Sequence, residues 1–164
     1  MSAQGKAASK VGNIVTGIFV FVFIILVLLV SLPLILLAVG LSLVHRALCY
    51  FLIWLLWLPR GRDILFVHSE SPIWMEYMTG EVLPLVQDRA VVLNWSDRKR
   101  WSQWSIAVQA FHAFGGEREF NPMVIVFRPF RLAQKFRFWP AFKAWKHGDK
   151  EPVTKLRQEL SLVL

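Results

Sequence analysis

The chain has 164 residues, of which 55% are hydrophobic and 18% charged, with a formal net charge of +8. An ordinary soluble domain is about half apolar and about a quarter charged, so this composition excludes a wholly water-facing fold unless the excess is confined to one segment. A single cysteine, Cys49, excludes an intrachain disulfide and a cysteine metal cluster.

The excess is confined. Residues 11–44 carry no charged side chain, and Ile18 to Val30 is an unbroken run of Ile, Phe, Val and Leu. A buried helix of a soluble protein seldom holds more than about 14 such residues, whereas crossing a hydrocarbon layer takes about 20. The pattern predicts an N-terminal tail over 1–10 and a transmembrane α-helical anchor over 11–58. A secretory signal is the competing explanation, with Lys6 and Lys10 as its positive start and Ala38-Val39-Gly40 as its cleavage site. Its apolar stretch would run to about 15 residues at most; the greater length here predicts an anchor that is not cleaved.

Ser31, Pro33, Gly40 and the pair His45-Arg46 interrupt the apolar region and leave two arrangements. In one, a kinked helix crosses once, Arg46 reaches the headgroups, and Ala47 to Leu58 lies in the interface with Tyr50, Trp54 and Trp57 as aromatic anchors. In the other, Ser31-Leu32-Pro33 turns the chain back as a helical hairpin, which brings Lys6 and Lys10 to the same side as Arg60 and Arg62. The hairpin costs about 2.5–3.5 kcal/mol for placing Arg46 inside the bilayer, but it satisfies the positive-inside rule at both ends and is the preferred arrangement. Both are read as an integral protein of the bacterial inner membrane with its C-terminal part cytoplasmic; a single span with its N-terminus inside would reverse this orientation.

Pro59-Arg60-Gly61-Arg62 combines helix breakers with charge and reads as a linker over 59–62. A domain over 63–164 follows. Ile64 to Val67 is a short apolar run of strand type, and Ser71-Pro72 reads as the cap and first residue of a helix burying Met75, Met78, Val82 and Leu85, bent or ended by Pro84. Ala90 to Leu93 predicts the second strand. Ser96-Asp97 can cap a helix from Arg98 to Phe114 with Trp101, Trp104, Val108 and Phe111 as its stripe and Gly115-Gly116 as its stop. Met123 to Phe127 predicts the third strand, Leu132 to Trp139 alternates as a fourth, and Pro152 to Leu162 closes the chain as a helix with Val153, Leu156, Leu160 and Val163 inward.

This order of strand, helix, strand, helix, strand, strand, helix predicts a small α/β layer structure. With Pro122 just before the third strand, it resembles the element order of the thioredoxin fold. The chain departs from that family where its chemistry lies, because His68-Ser69-Glu70-Ser71 stands where a Cys-x-x-C would follow the first strand. The resemblance therefore implies the fold without dithiol redox activity. A Rossmann-like three-layer piece is the alternative.

Ligands of open α/β sheets bind beyond the carboxyl ends of strands. Those positions hold His68, Ser69, Glu70 and Ser71, then Asn94, Ser96 and Asp97, then Arg128. His68 and Glu70 suit a base and its orienting acid, and the helix start at Ser71 suits an anion. The plainer reading is that the serines are helix caps and Glu70 and His68 are loop residues. Neither a glycine-rich phosphate loop, a metal-spaced histidine pair nor a G-x-S-x-G turn is present, and no cofactor is expected.

Arg128 to Lys146 holds six basic residues, Arg128, Arg131, Lys135, Arg137, Lys143 and Lys146, and no acid, interleaved with Phe130, Phe136, Phe138, Trp139, Phe142 and Trp145. That mixture suits an anionic membrane surface. It also suits single-stranded nucleic acid, which ranks last because a bilayer lies a few residues away. A strand whose aromatics are core and whose cations are solvated ranks between them. Arg98-Lys99-Arg100 with Trp101 and Trp104 extends the same character. The expected role is a membrane-anchored accessory or interaction module that binds anionic headgroups or a membrane protein partner; the rival is an enzyme acting on a phosphorylated or lipid-linked substrate through His68, Ser69, Glu70 and Arg128.

Overall fold

The computed structural model describes the backbone of residues 3–116 and 121–164, with side chains from Thr16 onward. The side chains of Lys6 and Lys10 lie outside the described residues. Two compact units divide the chain, residues 1–43 and 44–164.

Helix α1 runs without a break over Ala3–Leu56 and passes through Pro33. The expected hairpin at Ser31-Leu32-Pro33 is therefore corrected to one helix, and residues assigned to the N-terminal tail from Ala3 onward belong to it. Proline removes one backbone hydrogen bond from a helix, a loss that long apolar helices tolerate. The segment Thr16–Arg60 is long and apolar enough to cross a membrane. From Thr16 to Val44 every residue is exposed except Ser31 and Gly40, which are half-buried.

The second unit is an α/β domain with one four-stranded sheet. Its strands are β1 (Ile64–His68), β2 (Ala90–Asn94), β3 (Met123–Val126) and β4 (Gln134–Arg137), arranged in the order β2-β1-β3-β4. β1 and β2 are parallel, with Ile64 opposite Ala90 and His68 opposite Asn94. β3 is antiparallel to β1, with Ile64 opposite Val126, and β4 is antiparallel to β3. Ile64 to Val67 are all fully buried, as a central strand covered on both faces must be.

Alternate strand residues face two separate cores. Leu65, Val67, Leu93, Met123, Ile125 and Phe127 meet α4 (Ile106–Phe114) and the last turns of α1, through Cys49, Ile53 and Trp57. Ile64, Phe66, Ala90, Val124, Val126 and Phe136 meet a helical stretch made of α2 (Met75–Tyr77), a π turn (Met78–Val82) and α3 (Leu83–Val86). Helices α5 (Phe138–Lys146) and α6 (Glu151–Val163) complete that layer.

Several expected elements change form. The first domain helix begins at Met75, and Pro84, which has no N–H for the carbonyl of Gly80, sits just beyond the π turn. Met78, Val82 and Val86 face the core, whereas Met75 and Leu85 are exposed. The expected helix from Arg98 to Phe114 divides into a 3-10 turn, Trp95–Arg100, and α4, and Trp104 between them is 95% exposed. Gly115-Gly116 does stop α4, with Gly116 at φ +84°. The fourth strand ends at Arg137, because Phe138 opens α5, a helix that strand-like alternation concealed. The Asn121–Pro122 peptide is cis.

Asp63 leads into β1 and is buried. Arg89, just before β2, donates from Nε to Asp63 Oδ1 at 2.9 Å and from Nη1 to the main-chain oxygen of Leu164 at 2.8 Å. The hydrogen bonds to Asp63 raise the Arg89 pKa.

Ile53 is fully buried while its neighbour Leu55 is 55% exposed. Replacing Ile53 by Ala should lower the unfolding free energy of the full chain in detergent by about 2–5 kcal/mol, and Leu55→Ala should stay within about 0.5 kcal/mol. Equal denaturation midpoints for Ile53→Ala and the parent would show that the end of α1 is not part of the core.

Candidate functional site

Because β1 and β2 are parallel neighbours, their carboxyl ends lie side by side and bring His68-Ser69-Glu70 to Asn94-Trp95-Ser96-Asp97. Apart from His68, the polar side chains there satisfy one another. Asn94 Oδ1 accepts from the backbone N–H of Ser96 at 3.0 Å and so caps the 3-10 turn, while its Nδ2 donates to Glu70 Oε1 and to Asp97 Oδ2, each at 3.0 Å. The Glu70 N–H donates to Ser96 Oγ at 3.0 Å, and buried Ser69 accepts at Oγ from Trp74 Nε1 at 3.1 Å. Trp101 Nε1 donates to the Asn94 carbonyl at 3.1 Å.

His68 is half-buried, with its ring 5.6 Å from that of Phe66. Its Nδ1 is buried and meets no hydrogen-bond partner among the described residues. Burial lowers the His68 pKa, opposed by the charge of Glu70 and a backbone hydrogen bond at Ser69. The Glu70 carboxylate is engaged by Asn94. It does not orient Nδ1, as a base and its orienting acid would require.

Arg128 does not join this group. β3 runs antiparallel to β1, so its carboxyl end lies beside the start of β1, at the other end of the sheet from His68. There Arg128 Nη2 donates to the main-chain oxygen of Val163. With Arg89 on Leu164, this places two guanidinium groups on the carboxyl end of α6, where unpaired carbonyls and the helix dipole attract cations. The structure therefore separates the four residues expected to act together: His68, Ser69 and Glu70 at one end, Arg128 at the other. Among the described residues no three His, Cys, Asp or Glu side chains gather as metal ligands would.

The residues expected at a membrane interface divide into three sets. Trp57 is buried against Phe127, their ring centres 6.3 Å apart, and Tyr50 packs against Phe114 at 4.7 Å while its hydroxyl accepts from the Ala133 N–H at 2.6 Å. Trp54 is half-buried beside them, 5.5 Å from the ring of Phe130. Trp139 and Trp145 lie on the opposite layer: Trp139 meets Trp74 edge-on at 5.0 Å, and Trp145 stacks on Phe142 at 5.6 Å and meets Tyr77 at 5.2 Å. Lys143 sits over the Trp139 ring at 5.4 Å, and Lys146 is exposed. The third set, Arg46, Arg131 and Lys135, is exposed. Although Lys135 is exposed as a residue, partial desolvation of its ammonium lowers its pKa, and the charges of Arg137 and Arg46 add to that shift.

Three further side chains are strongly exposed. Trp104 fits both a helical stripe and the basic surface of Arg98-Lys99-Arg100, and Leu132 fits the alternation of the fourth strand; they are 95% and 84% exposed. Phe130, 92% exposed, has a positive φ of 58°, a conformation that costs a bulky residue about 1–3 kcal/mol. The Arg128-Pro129 pair just before it was the available signal of a turn.

Comparison with protein-family models, with curated proteins and with solved structures finds no match.

The lowered His68 pKa has a definite sign in stability. The unfolded chain takes up a proton near the ordinary value of 6.5, while the folded protein resists until lower pH. The contribution is therefore complete above that pH and is lost as pH falls towards the folded value. A nuclear magnetic resonance titration of the His68 ring in the full chain should give a midpoint below 6.5, and His68→Phe should flatten the acid limb of stability in that window. A midpoint at or above the ordinary value would contradict the burial.

Proposed function

We propose that this chain is a membrane-anchored accessory module: α1 crosses the bilayer once, uncleaved, and holds a basic, aromatic-rich α/β domain against the cytoplasmic surface of a bacterial inner membrane. The observation that carries this reading is the exposure of α1. Between Thr16 and Val44 its side chains are overwhelmingly apolar and point outward on every side. A helix apolar all round is stable where lipid or protein surrounds it.

The charge distribution supports the orientation. Arg46, Arg60 and Arg62 follow the apolar run closely, against Lys6 and Lys10 before it, and the richer flank belongs on the cytoplasmic side. The realised order of strand, helix, strand, helix, strand, strand and then two helices, with Pro122 before β3, supports a thioredoxin-like domain extended by α5, in which the strand-end network around Asn94 replaces a dithiol. The domain's partners are anionic headgroups or a protein of the same membrane. Turnover through His68, Ser69, Glu70 and Arg128 has no geometric support, since Arg128 is engaged at the far end of the sheet.

Topology reporters test the reading. A green fluorescent protein joined after Leu164 should fluoresce and an alkaline phosphatase there should be inactive, with the opposite results at the N-terminus. The full chain should also stay with the membrane through alkaline carbonate extraction. Release by carbonate would remove the anchor, and an active C-terminal phosphatase would reverse the orientation.

A further inference from the structure

Within the unit that begins at Val44, apolar surface left over by the two cores gathers around the last turns of α1. One side of that helix carries Cys49, Ile53 and Trp57 into the sheet; the other presents Leu48, Phe51 and Leu55 at 55–59% exposure. The β3–β4 loop stands beside this outward face, where Phe130 and Leu132 border an apolar groove with Tyr50, Phe51 and Trp54. On its other flank Trp104 stands beside Cys49 and Leu52.

Soluble domains rarely leave large apolar side chains gathered in the open, and such a patch marks a surface that something covers. Phe130 is exposed even though its backbone adopts a positive φ that is unusual for a bulky residue. The rim carries one sign of charge. Arg46, Arg131 and Lys135 are exposed, and neither residues 44–62 nor residues 128–148 include an acid.

We propose that Trp104, Phe130 and Leu132 are membrane-insertion side chains, which with the outward face of α1 seat the α/β domain in the interfacial layer of an anionic bilayer. In that setting the rings and Leu132 lie beneath the headgroups and Arg131 and Lys135 meet the phosphates. The inference rests on the anchor reading, and lipid is the favoured occupant for two reasons. The same helix continues from Val44 into the apolar run, so the bilayer is the apolar medium nearest in sequence, and the single-signed rim matches an anionic leaflet. It also moves the contact away from Trp139 and Trp145, whose rings pack in the other layer.

Site-directed spin labelling of the full chain tests this. In a Cys49→Ala background, Trp104→Cys, Phe130→Cys and Leu132→Cys are labelled singly, with Leu28→Cys reporting the apolar run and Leu162→Cys reporting exposed α6. The proteins are reconstituted in vesicles of phosphatidylcholine and phosphatidylglycerol, and collision with lipid-soluble oxygen is compared with collision with a water-soluble nickel chelate. Labels at 104, 130 and 132 should favour oxygen, as at 28, while the label at 162 favours nickel. Nickel preference at 104, 130 and 132 with oxygen preference at 28 would overturn the insertion and leave the anchor standing. Nickel preference at 28 as well would remove the anchor itself. Shielding of 104, 130 and 132 from both reagents would overturn the lipid assignment in favour of a protein cover.

Discussion

The domain depends on the docking of Cys49, Ile53 and Trp57 against one face of its sheet. β1 is buried on both faces, and on this one α4 is a helix of only nine residues. Without a second helix, Leu65, Ile125 and Phe127 would meet water over part of their surface, and each would forfeit part of the contribution of about 1.5–3 kcal/mol that full burial of a large apolar side chain makes. The end of α1 supplies the missing cover. Tyr50 adds direction to it, because its hydroxyl takes the N–H of Ala133 and ties the helix to the entrance of β4.

What the sequence made legible follows periodicity and its failures. The first three strands were plain because each is a short apolar run between turn residues, and α6 was plain because Val153 and Leu160 recur at helical spacing. The end of α1 was not, since a segment that is apolar on every side gives no contrast between the face that docks and the face that does not. Phe138 to Lys146 misled in the other direction. Its first two residues, Phe138 and Trp139, continued the alternation of β4, although the aromatics of this segment pack at helical spacing against Trp74 and Tyr77. Arg128 was legible as a residue at a strand end but not as one at the opposite end from His68, because strand direction is a tertiary property.

The polar cluster at the carboxyl ends of β1 and β2 shows why sequence position alone is a poor guide to chemistry. Asn94 spends its amide on two carboxylates and its oxygen on a helix start, and Ser69 is taken by Trp74. These groups hold the strand-to-helix connections in place. At the opposite end Arg89 and Arg128 do comparable work, drawing the end of α6 to Asp63 and the β3 exit. The sheet is thus fastened at both ends by side chains that resemble a binding site in sequence.

The way α1 is shared has a practical corollary for dividing the chain. Composition changes at Pro59, which invites separation there, but a fragment starting at that point would lack Cys49, Ile53 and Trp57 and would leave one sheet face open. Such a fragment should be loosely packed and prone to aggregate. A fragment starting at Val44 would keep the core yet carry Leu48, Phe51 and Leu55 into water. On these grounds a cut in this region should not give a domain both well packed and soluble by itself, so the α/β domain is best handled in detergent or lipid with its helix attached.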